Sequence, residues 1–229
     1  MKTKLAAAIL IEVVLLTVSF AQRPNPVADP ESERILDKAA QAEGGDNVLG
    51  TLRTLRLTGS IWVSSQRVSE VESIIKFPDK FCDTFQNADG STLKYGFDGT
   101  EAWKRVSARM GLTGLPRLQL LLPAAQWRLR YTEAKFVGQR KIGHRRAYVV
   151  RALIRGQSSP ADYYYDPVNY LLLQVDTADT VPIIYHVSGF HDIDGLKVPR
   201  EWSFGENRTV IASIKLNIDI DDKQFTKPK

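Results

Sequence analysis

The stretch between Lys76 and Lys104 constrains the fold of this 229-residue chain more than any other part. Apolar and polar residues alternate along it, and Pro78, Asp89-Gly90 and Asp98-Gly99 interrupt the alternation at short intervals. A period of two is typical of half-buried strands, and Asp-Gly pairs between such strands form hairpin turns. The stretch therefore predicts three short antiparallel strands joined by tight turns.

The same period of two runs through most of the remaining chain. Short strands follow one another without alternating helices, which favours antiparallel pairing over a βαβ architecture. Further predicted strands are Leu55–Val63, Arg130–Val137, Ala147–Ile154, Tyr163–Tyr165, Tyr170–Val175, Ile183–Phe190, Lys197–Phe204 and Thr209–Ile220. We predict a mainly β protein with a few helices, in which a single highly curved antiparallel sheet forms an incomplete β-barrel.

One helix is predicted ahead of the sheet, from Glu31 to Ala42. Its first turn is acidic, and Gly44-Gly45 provides the stop. Its narrow apolar stripe is expected to lie over the open face of the sheet as a lid. The lid residues are expected to be Ile35, Leu36 and Ala39.

The first 21 residues have the pattern of a secretory signal, in which Lys2 and Lys4 precede an apolar run that ends at Ser19-Phe20-Ala21. Glu12 interrupts this run, and an uncleaved anchor or a misassigned start are the alternatives. Cleavage after Ala21 gives an extended, proline-rich leader at residues 22–30 and one domain at residues 31–229. The protein is therefore expected to be exported to the periplasm and to be soluble there.

Basic residues concentrate in one place in a chain whose formal charge is +5. Arg140, Lys141, Arg145 and Arg146 lie close together, which predicts a solvated hairpin tip or, alternatively, a surface for anionic lipid head groups or a partner. The aromatic spacing of RNA-binding signatures is missing, so nucleic acid is not expected as a partner. At most, we expect peripheral membrane contact.

Motifs for catalysis or metal binding are missing from the sequence. His186 and His191 are five apart on one predicted strand, so their side chains face opposite sides and cannot share a metal unless a bulge intervenes. There is no HExxH motif, nucleophile elbow or phosphate-binding loop. Cys82 is the single cysteine and is expected to be a small buried hydrophobe rather than a reactive thiol. We therefore predict no catalytic residue, no metal and no cofactor, and a triad assembled from distant residues is the least favoured hypothesis.

Apolar side chains remain as the candidate functional surface. An ordinary packed core explains them; alternatively, the curved sheet and its helix enclose a pocket for acyl chains. The candidates for lining that cavity are Ile61, Trp62, Ile75, Phe77, Phe81, Trp103, Leu115, Leu118, Leu121 and Trp127. Whether the segment from Leu115 to Leu122 lines the cavity or seals it stays open.

Several stretches resemble the LolA/LolB superfamily of outer-membrane lipoprotein-sorting proteins. The clearest begins with Phe77-Pro78-Asp79-Lys80-Phe81 and continues through Tyr95-Gly96-Phe97-Asp98-Gly99-Thr100-Glu101-Ala102-Trp103. The likeness returns at Tyr163–Asp166, Gly189–Pro199 and Ile218–Phe225. Each motif is short, but their order covers most of the chain that follows the predicted signal.

The resemblance implies an incomplete barrel with a helical lid, whose apolar interior receives the acyl chains of a lipoprotein or another lipid. It also implies an inner-membrane transporter and an outer-membrane acceptor protein as partners. In the dedicated lipoprotein carrier an Arg stands before the proline of the second hairpin and helps to hold the lid, whereas this chain has Phe77 there. The expected function is lipid or lipoprotein carriage, and the alternative is a non-catalytic envelope interaction or sensor module with the same fold.

Overall fold

A computed structural model describes residues 25–106, 120–155, 159–178 and 182–227. These residues form one sheet of thirteen strands, accompanied by short helices. The strands are β1 (Val27–Ala28), β2 (Thr54–Val63), β3 (Gln66–Lys76), β4 (Lys80–Asn87), β5 (Thr92–Phe97), β6 (Ala102–Val106), β7 (Tyr131–Ile142), β8 (Arg145–Ile154), β9 (Ala161–Tyr165), β10 (Leu172–Thr177), β11 (Ile184–Ile193), β12 (Leu196–Phe204) and β13 (Asn207–Leu216). The helices that lie wholly within these ranges are α1 (Pro30–Glu43), α2 (Gly45–Leu49), α3 (Trp127–Arg130) and a 3₁₀ helix at Asp222–Phe225.

The strands join in the order β1-β7-β8-β9-β10-β11-β12-β13-β2-β3-β4-β5-β6. The short β1 runs parallel to β7, and every other pair of neighbours is antiparallel. Because β1 and β6 stand at opposite ends of this order, the sheet curves without closing. The predicted mainly β fold, an incomplete barrel with a helical cover, is confirmed.

Asp29 determines where α1 begins. Its Oδ1 accepts hydrogen bonds from the N–H groups of Glu31 and Ser32 at 3.1 and 2.9 Å, and Pro30 stands in the first turn, where an N–H has no helical partner. Its Oδ2 accepts from the N–H of Phe136 on β7 at 2.7 Å, which ties the cap to the sheet. The predicted helix is thus confirmed and is one residue longer at each end.

The sheet has two faces because side chains alternate along each strand. Ile75 on β3 and its partner Phe81 on β4 belong to the face that α1 covers, which we call the inner face. Their neighbours Ile74 and Cys82 belong to the opposite, outer face. Cys82 is 1% exposed and burial raises the pKa of its thiol to about 11, so the prediction of a small buried side chain is confirmed.

The C-terminal 3₁₀ helix packs on the outer face of β3, β4 and β6. Phe225 is fully buried there, and its carbonyl oxygen accepts a hydrogen bond from Trp103 Nε1 at 2.5 Å. Asp222 pairs with Lys76 and Lys80 at 2.6 and 3.1 Å. These ion pairs are largely solvent-exposed and contribute little, so the buried Phe225 and its hydrogen bond anchor this end of the chain.

Candidate functional site beneath helix α1

Helix α1 rests directly on the inner face of the sheet. Three side chains of α1, those of Ile35, Leu36 and Ala39, are each 0% exposed. They pack in one apolar cluster with side chains from β2, β3 and β7 to β13. The aromatic members of this cluster are Trp127, Tyr131, Tyr163, Tyr165, Tyr185 and Trp202. We call it the α1 cluster.

Five of the residues predicted to line the interior meet the α1 cluster: Ile75, Phe77, Phe81, Leu121 and Trp127. Ile75, Leu121 and Trp127 are buried within it, whereas Phe77 and Phe81 are half-buried at its border. Ile61 also lies on the inner face but joins a smaller cluster on β3, β4 and β5. Leu115 and Leu118 lie outside the described residues.

The predictions for Trp62 and Trp103 require a correction, because both side chains lie on the outer face. Trp103 packs with Ile74 and Cys82. Trp62 donates from Nε1 to Ser60 Oγ at 3.1 Å, and the guanidinium of Arg208 is 5.6 Å from its ring centroid. A sequence period of two shows that neighbouring side chains lie on opposite faces of a strand. It does not show which of the two sets of side chains faces the interior.

Buried polar contacts hold the segment that precedes α3. Arg130 is 4% exposed and donates from Nη1 to the carbonyl oxygens of Leu122 and Ala125 at 2.5 and 3.1 Å. Tyr131 donates from its hydroxyl to the carbonyl oxygen of Pro123 at 2.6 Å. Since buried carbonyl groups must find donors, these two side chains fix the path of the backbone beneath α1.

Glu43, the last residue of α1, is 3% exposed. Its Oε1 accepts a hydrogen bond from the N–H of Ala124 at 3.1 Å, while Oε2 has no hydrogen-bond partner within the described ranges. Burial raises the pKa of this carboxyl to about 8, although the Ala124 N–H and the charge of Arg130 act in the opposite direction. The side chain is therefore mainly neutral at pH 7.

The sequence prediction missed Glu43, Arg130 and Tyr131. A signal for Glu43 was present, because it follows Leu36 and Ala39 at helical spacing and so continues the apolar stripe. No comparable signal existed for Arg130, whose partners are backbone carbonyl groups eight and five residues away.

Two polar contacts tether the exposed side of α1 to its neighbours. Asp37 Oδ1 accepts from Trp127 Nε1 at 2.9 Å and from Arg128 Nη1 at 2.5 Å, and the hydrogen bond from Arg128 lowers the pKa of the Asp37 carboxyl. On the other side, Arg34 and Lys38 donate to the hydroxyl of Tyr170 in the turn after β9, at 3.2 and 3.3 Å. Helix α1 is thus held at both flanks.

Two surface pockets of the described residues lie at the edges of the region that α1 covers, and the larger one reaches the α1 cluster at Ala28 and Ala134. The larger is an open groove of about 420 Å³ beside β1 and β7, lined by Ala28, Lys135, Arg151, Leu153 and their neighbours. The smaller lies at the junction of α1 and α2. The described ranges contain no group of three His, Cys, Asp or Glu side chains arranged to hold a metal ion, and no helix there is long and apolar enough to cross a membrane.

The predicted hairpin tip is present, because the basic residues flank the two-residue turn that joins β7 to β8. Arg140 and Lys141 belong to β7, Arg145 and Arg146 belong to β8, and the strands extend further than predicted. Lys141 pairs with Arg146, and Arg140 pairs with Ala147. Alternation therefore places Lys141 and Arg146 on the inner side and Arg140 and Arg145 on the outer side.

These features define a class: an incomplete antiparallel barrel whose apolar inner face is covered by an N-terminal helix. The same architecture occurs in the crystal structure of a LolA superfamily protein from Nitrosomonas europaea, which superposes with a TM-score of 0.57 over 86% of this chain and 97% of that one. The two sequences are 14% identical. The chain therefore has the fold of the LolA superfamily, and the likeness at this identity concerns the fold alone.

Other comparisons add no further assignment. Structures of MucB alone and of MucB with MucA(peri) are each 14% identical to this chain, but their TM-scores are 0.27. The alignments cover 87% and 86% of this chain, and 64% and 60% of the MucB chains. No protein-family profile and no curated protein sequence matches the chain.

Proposed function

We propose that the protein is a non-catalytic periplasmic carrier that binds acyl chains of a lipid or lipoprotein against the inner face of its half-barrel. The observation that carries this proposal is the α1 cluster, in which a separate helix covers an extended apolar and aromatic surface of the sheet. The proposed lining residues on the side of β3 and α3 are Ile75, Phe77, Phe81, Leu121 and Trp127. Ile35, Leu36 and Ala39 are the corresponding residues of the lid.

Ligand entry requires α1 to move, because its apolar stripe occupies the space that an acyl chain would take. Each methylene group that leaves water contributes roughly 0.8 kcal/mol to the binding free energy. A bound acyl chain therefore compensates for the apolar contacts that α1 loses. The tethers on the exposed side of α1 are weak enough to open, since half-exposed ion pairs contribute only about 0–1 kcal/mol. The proposed mechanism is therefore an exchange of helix for lipid on one apolar surface.

Phe77 bears on which lipid is carried. It is half-buried at the border of the α1 cluster, and its N–H donates to the carbonyl oxygen of Arg53 at 2.9 Å. A phenylalanine side chain offers no hydrogen-bond donor to α1, whereas an Arg at this position would offer five. We propose that lid closure here depends on Asp37 and Arg128 instead, and that non-protein lipids are carried at least as well as lipoproteins.

The test is direct binding of a fluorescent fatty-acid probe, together with mass spectrometry of lipids extracted from gently purified protein. Phe81→Ser should weaken probe binding, because Phe81 borders the α1 cluster. Gln86→Ser on the same strand β4 is exposed and serves as the matched control. Protein that contains no lipid and gives equal probe signals for both variants and wild type would rule out the carrier proposal.

The second candidate is a module that binds an envelope protein through the same fold. It is favoured by the close packing of α1 against the sheet, in which Ile35, Leu36 and Ala39 are all fully buried. A protein partner that co-purifies with the chain while no lipid does would support this candidate over the carrier.

A further inference from the structure

A second surface lies at one end of the inner face, where α1 meets β8 and the turn between β9 and β10. Tyr148 and Tyr170 stack there, with ring centroids 5.9 Å apart and an angle of 25° between the rings. The guanidinium of Arg34 is 5.5 Å from the Tyr148 centroid, and Lys38 Nζ is 4.9 Å from the Tyr170 centroid. Two cations of α1 therefore lie over a pair of stacked phenol rings.

The ends of β7 and β8 add two more cations on the same face. Lys141 and Arg146 are direct cross-strand partners, and Arg146 precedes Tyr148 by two residues, so both side chains share the side of Tyr148. Like charges directly opposite each other destabilise a sheet. Neither side chain forms an ion pair with a carboxylate in the described ranges. We call Arg34, Lys38, Lys141 and Arg146 the basic rim.

Nearby carboxylates neutralise the basic rim only in part. Glu31 pairs with Arg34 at 2.6 Å. Asp166, at the start of the β9–β10 turn, accepts hydrogen bonds from the N–H groups of Val168 and Asn169 at 2.8 and 3.3 Å and is thus directed into its own turn. Lys38, Lys141 and Arg146 retain uncompensated charge, which suits an anionic partner.

An apolar side chain projects from the turn beside these cations. Val168 is 86% exposed, the largest exposure among the large apolar side chains of the described residues. The turn that presents it is fixed, because Tyr170 holds a left-handed φ of 58° and its hydroxyl accepts from Arg34 and Lys38. A bulky residue adopts that φ only where its surroundings impose it.

We propose that the basic rim and Val168 form a docking surface for a bilayer that contains anionic phospholipids. The four cations face the lipid phosphates, Tyr148 and Tyr170 lie at head-group level, and Val168 enters the boundary with the acyl chains. Protein sites that bind at the membrane–water interface combine lysine, arginine and tyrosine with a protruding apolar residue. This docking does not depend on acyl-chain binding beneath α1.

Val168 distinguishes a lipid surface from an acidic polypeptide or another soluble polyanion. Positive charge alone attracts any of these partners. A fully projecting valine gains binding energy only if its partner offers an apolar layer at the same place. The geometry therefore favours the lipid surface.

The experiment is co-sedimentation of the exported protein with two sets of vesicles, phosphatidylcholine alone and phosphatidylcholine mixed with phosphatidylglycerol. Wild type should bind only the mixed vesicles, and binding should fall as salt is added. Lys141→Gln combined with Arg146→Gln should weaken binding by roughly 30-fold, since each cation near an anionic surface contributes about a fivefold factor. The matched control is Arg200→Gln with Lys215→Gln, which removes two exposed charges elsewhere on the sheet.

Val168→Ser provides the second variant and should weaken vesicle binding by roughly fivefold without changing the midpoint of thermal unfolding, because the side chain is exposed. Equal binding to both vesicle types would overturn the proposal. Equal losses of vesicle binding in the Lys141/Arg146 double variant and in its control would also overturn it. Unaltered vesicle binding by Val168→Ser would do the same. Binding to a soluble acidic peptide that excludes vesicles would replace the lipid surface by a protein partner.

Discussion

The carboxylate of Asp37 in the middle of α1 lies 2.5 Å from Nη1 and 2.9 Å from Nη2 of Arg128 on α3, forming a bidentate ion pair. Trp127 Nε1 donates to the same carboxylate, and the Arg128 guanidinium lies 4.2 Å from the Trp127 ring centroid. Three side chains thus join the lid to the segment that lies beneath it. In the proposed carrier, this contact holds the lid, at whose border the chain has Phe77 rather than an Arg before Pro78.

Asp37→Asn tests this tether. Both side chains of the pair are 49% exposed, so solvent screening limits the loss of unfolding free energy to about 0.5–1 kcal/mol. Helix α1 should open more readily, and the fluorescent fatty-acid probe should bind faster. Stopped-flow fluorescence measures that rate. Glu72→Gln, which breaks an exposed pair with Arg56 on the outer face of β2 and β3, is the control, and equal rates for the two variants would contradict the tether.

Glu43 predicts a pH dependence of stability. Its folded-state pKa of about 8 lies above the ordinary value of 4.5, so its contribution is fully present below pH 4.5 and is lost as pH rises to 8. Glu43→Gln cannot ionise and should therefore become more stable than wild type at high pH, with little difference near pH 4. Urea unfolding at a series of pH values measures this difference. A constant difference across the range would show that the carboxyl does not hold its proton in the folded state.

Gly96 on β5 predicts a steric limit. A Cβ there would come within 2.6 Å of the Phe81 carbonyl oxygen and 2.6 Å of Trp103 Cζ2. Gly96→Ala should lower the unfolding free energy by about 2–3 kcal/mol, because the backbone oxygen cannot move away. Gly90→Ala is the control, since it meets no atom within 4 Å and bears only the cost of its φ of 81°, about 1 kcal/mol. Thermal or urea unfolding should separate the two variants in that order.

Cys82 should resist alkylation in the folded protein. It is 1% exposed and its thiol pKa is raised to about 11 by burial, so thiolate is scarce and the reagent has no access. Iodoacetamide should label it only after denaturant is added, as measured by intact-protein mass spectrometry. Rapid labelling without denaturant would mean that the C-terminal 3₁₀ helix leaves the outer face readily.

The sequence by itself determined the fold class and the covering helix. Alternation between Lys76 and Lys104, with its Asp-Gly turns, predicted β4, β5 and β6, and the stripe of Ile35, Leu36 and Ala39 predicted α1, because both patterns depend only on local geometry. In the structure, the side chain of Asp29 caps the N-terminus of this helix. The signal segment and the identity of any lipid stay predictions.

Only the tertiary structure decided which apolar residues meet. Trp62 and Trp103 share their strands with inner-face residues yet lie on the outer face. The register and curvature of the sheet determine which alternate set of side chains faces the interior. Tertiary contacts also bring Glu43, Arg130 and Tyr131 beneath α1, and place Lys141 and Arg146 beside Tyr148 and Tyr170. Contacts between residues distant in sequence depend on how the sheet curves, and a local pattern of alternation does not specify that curvature.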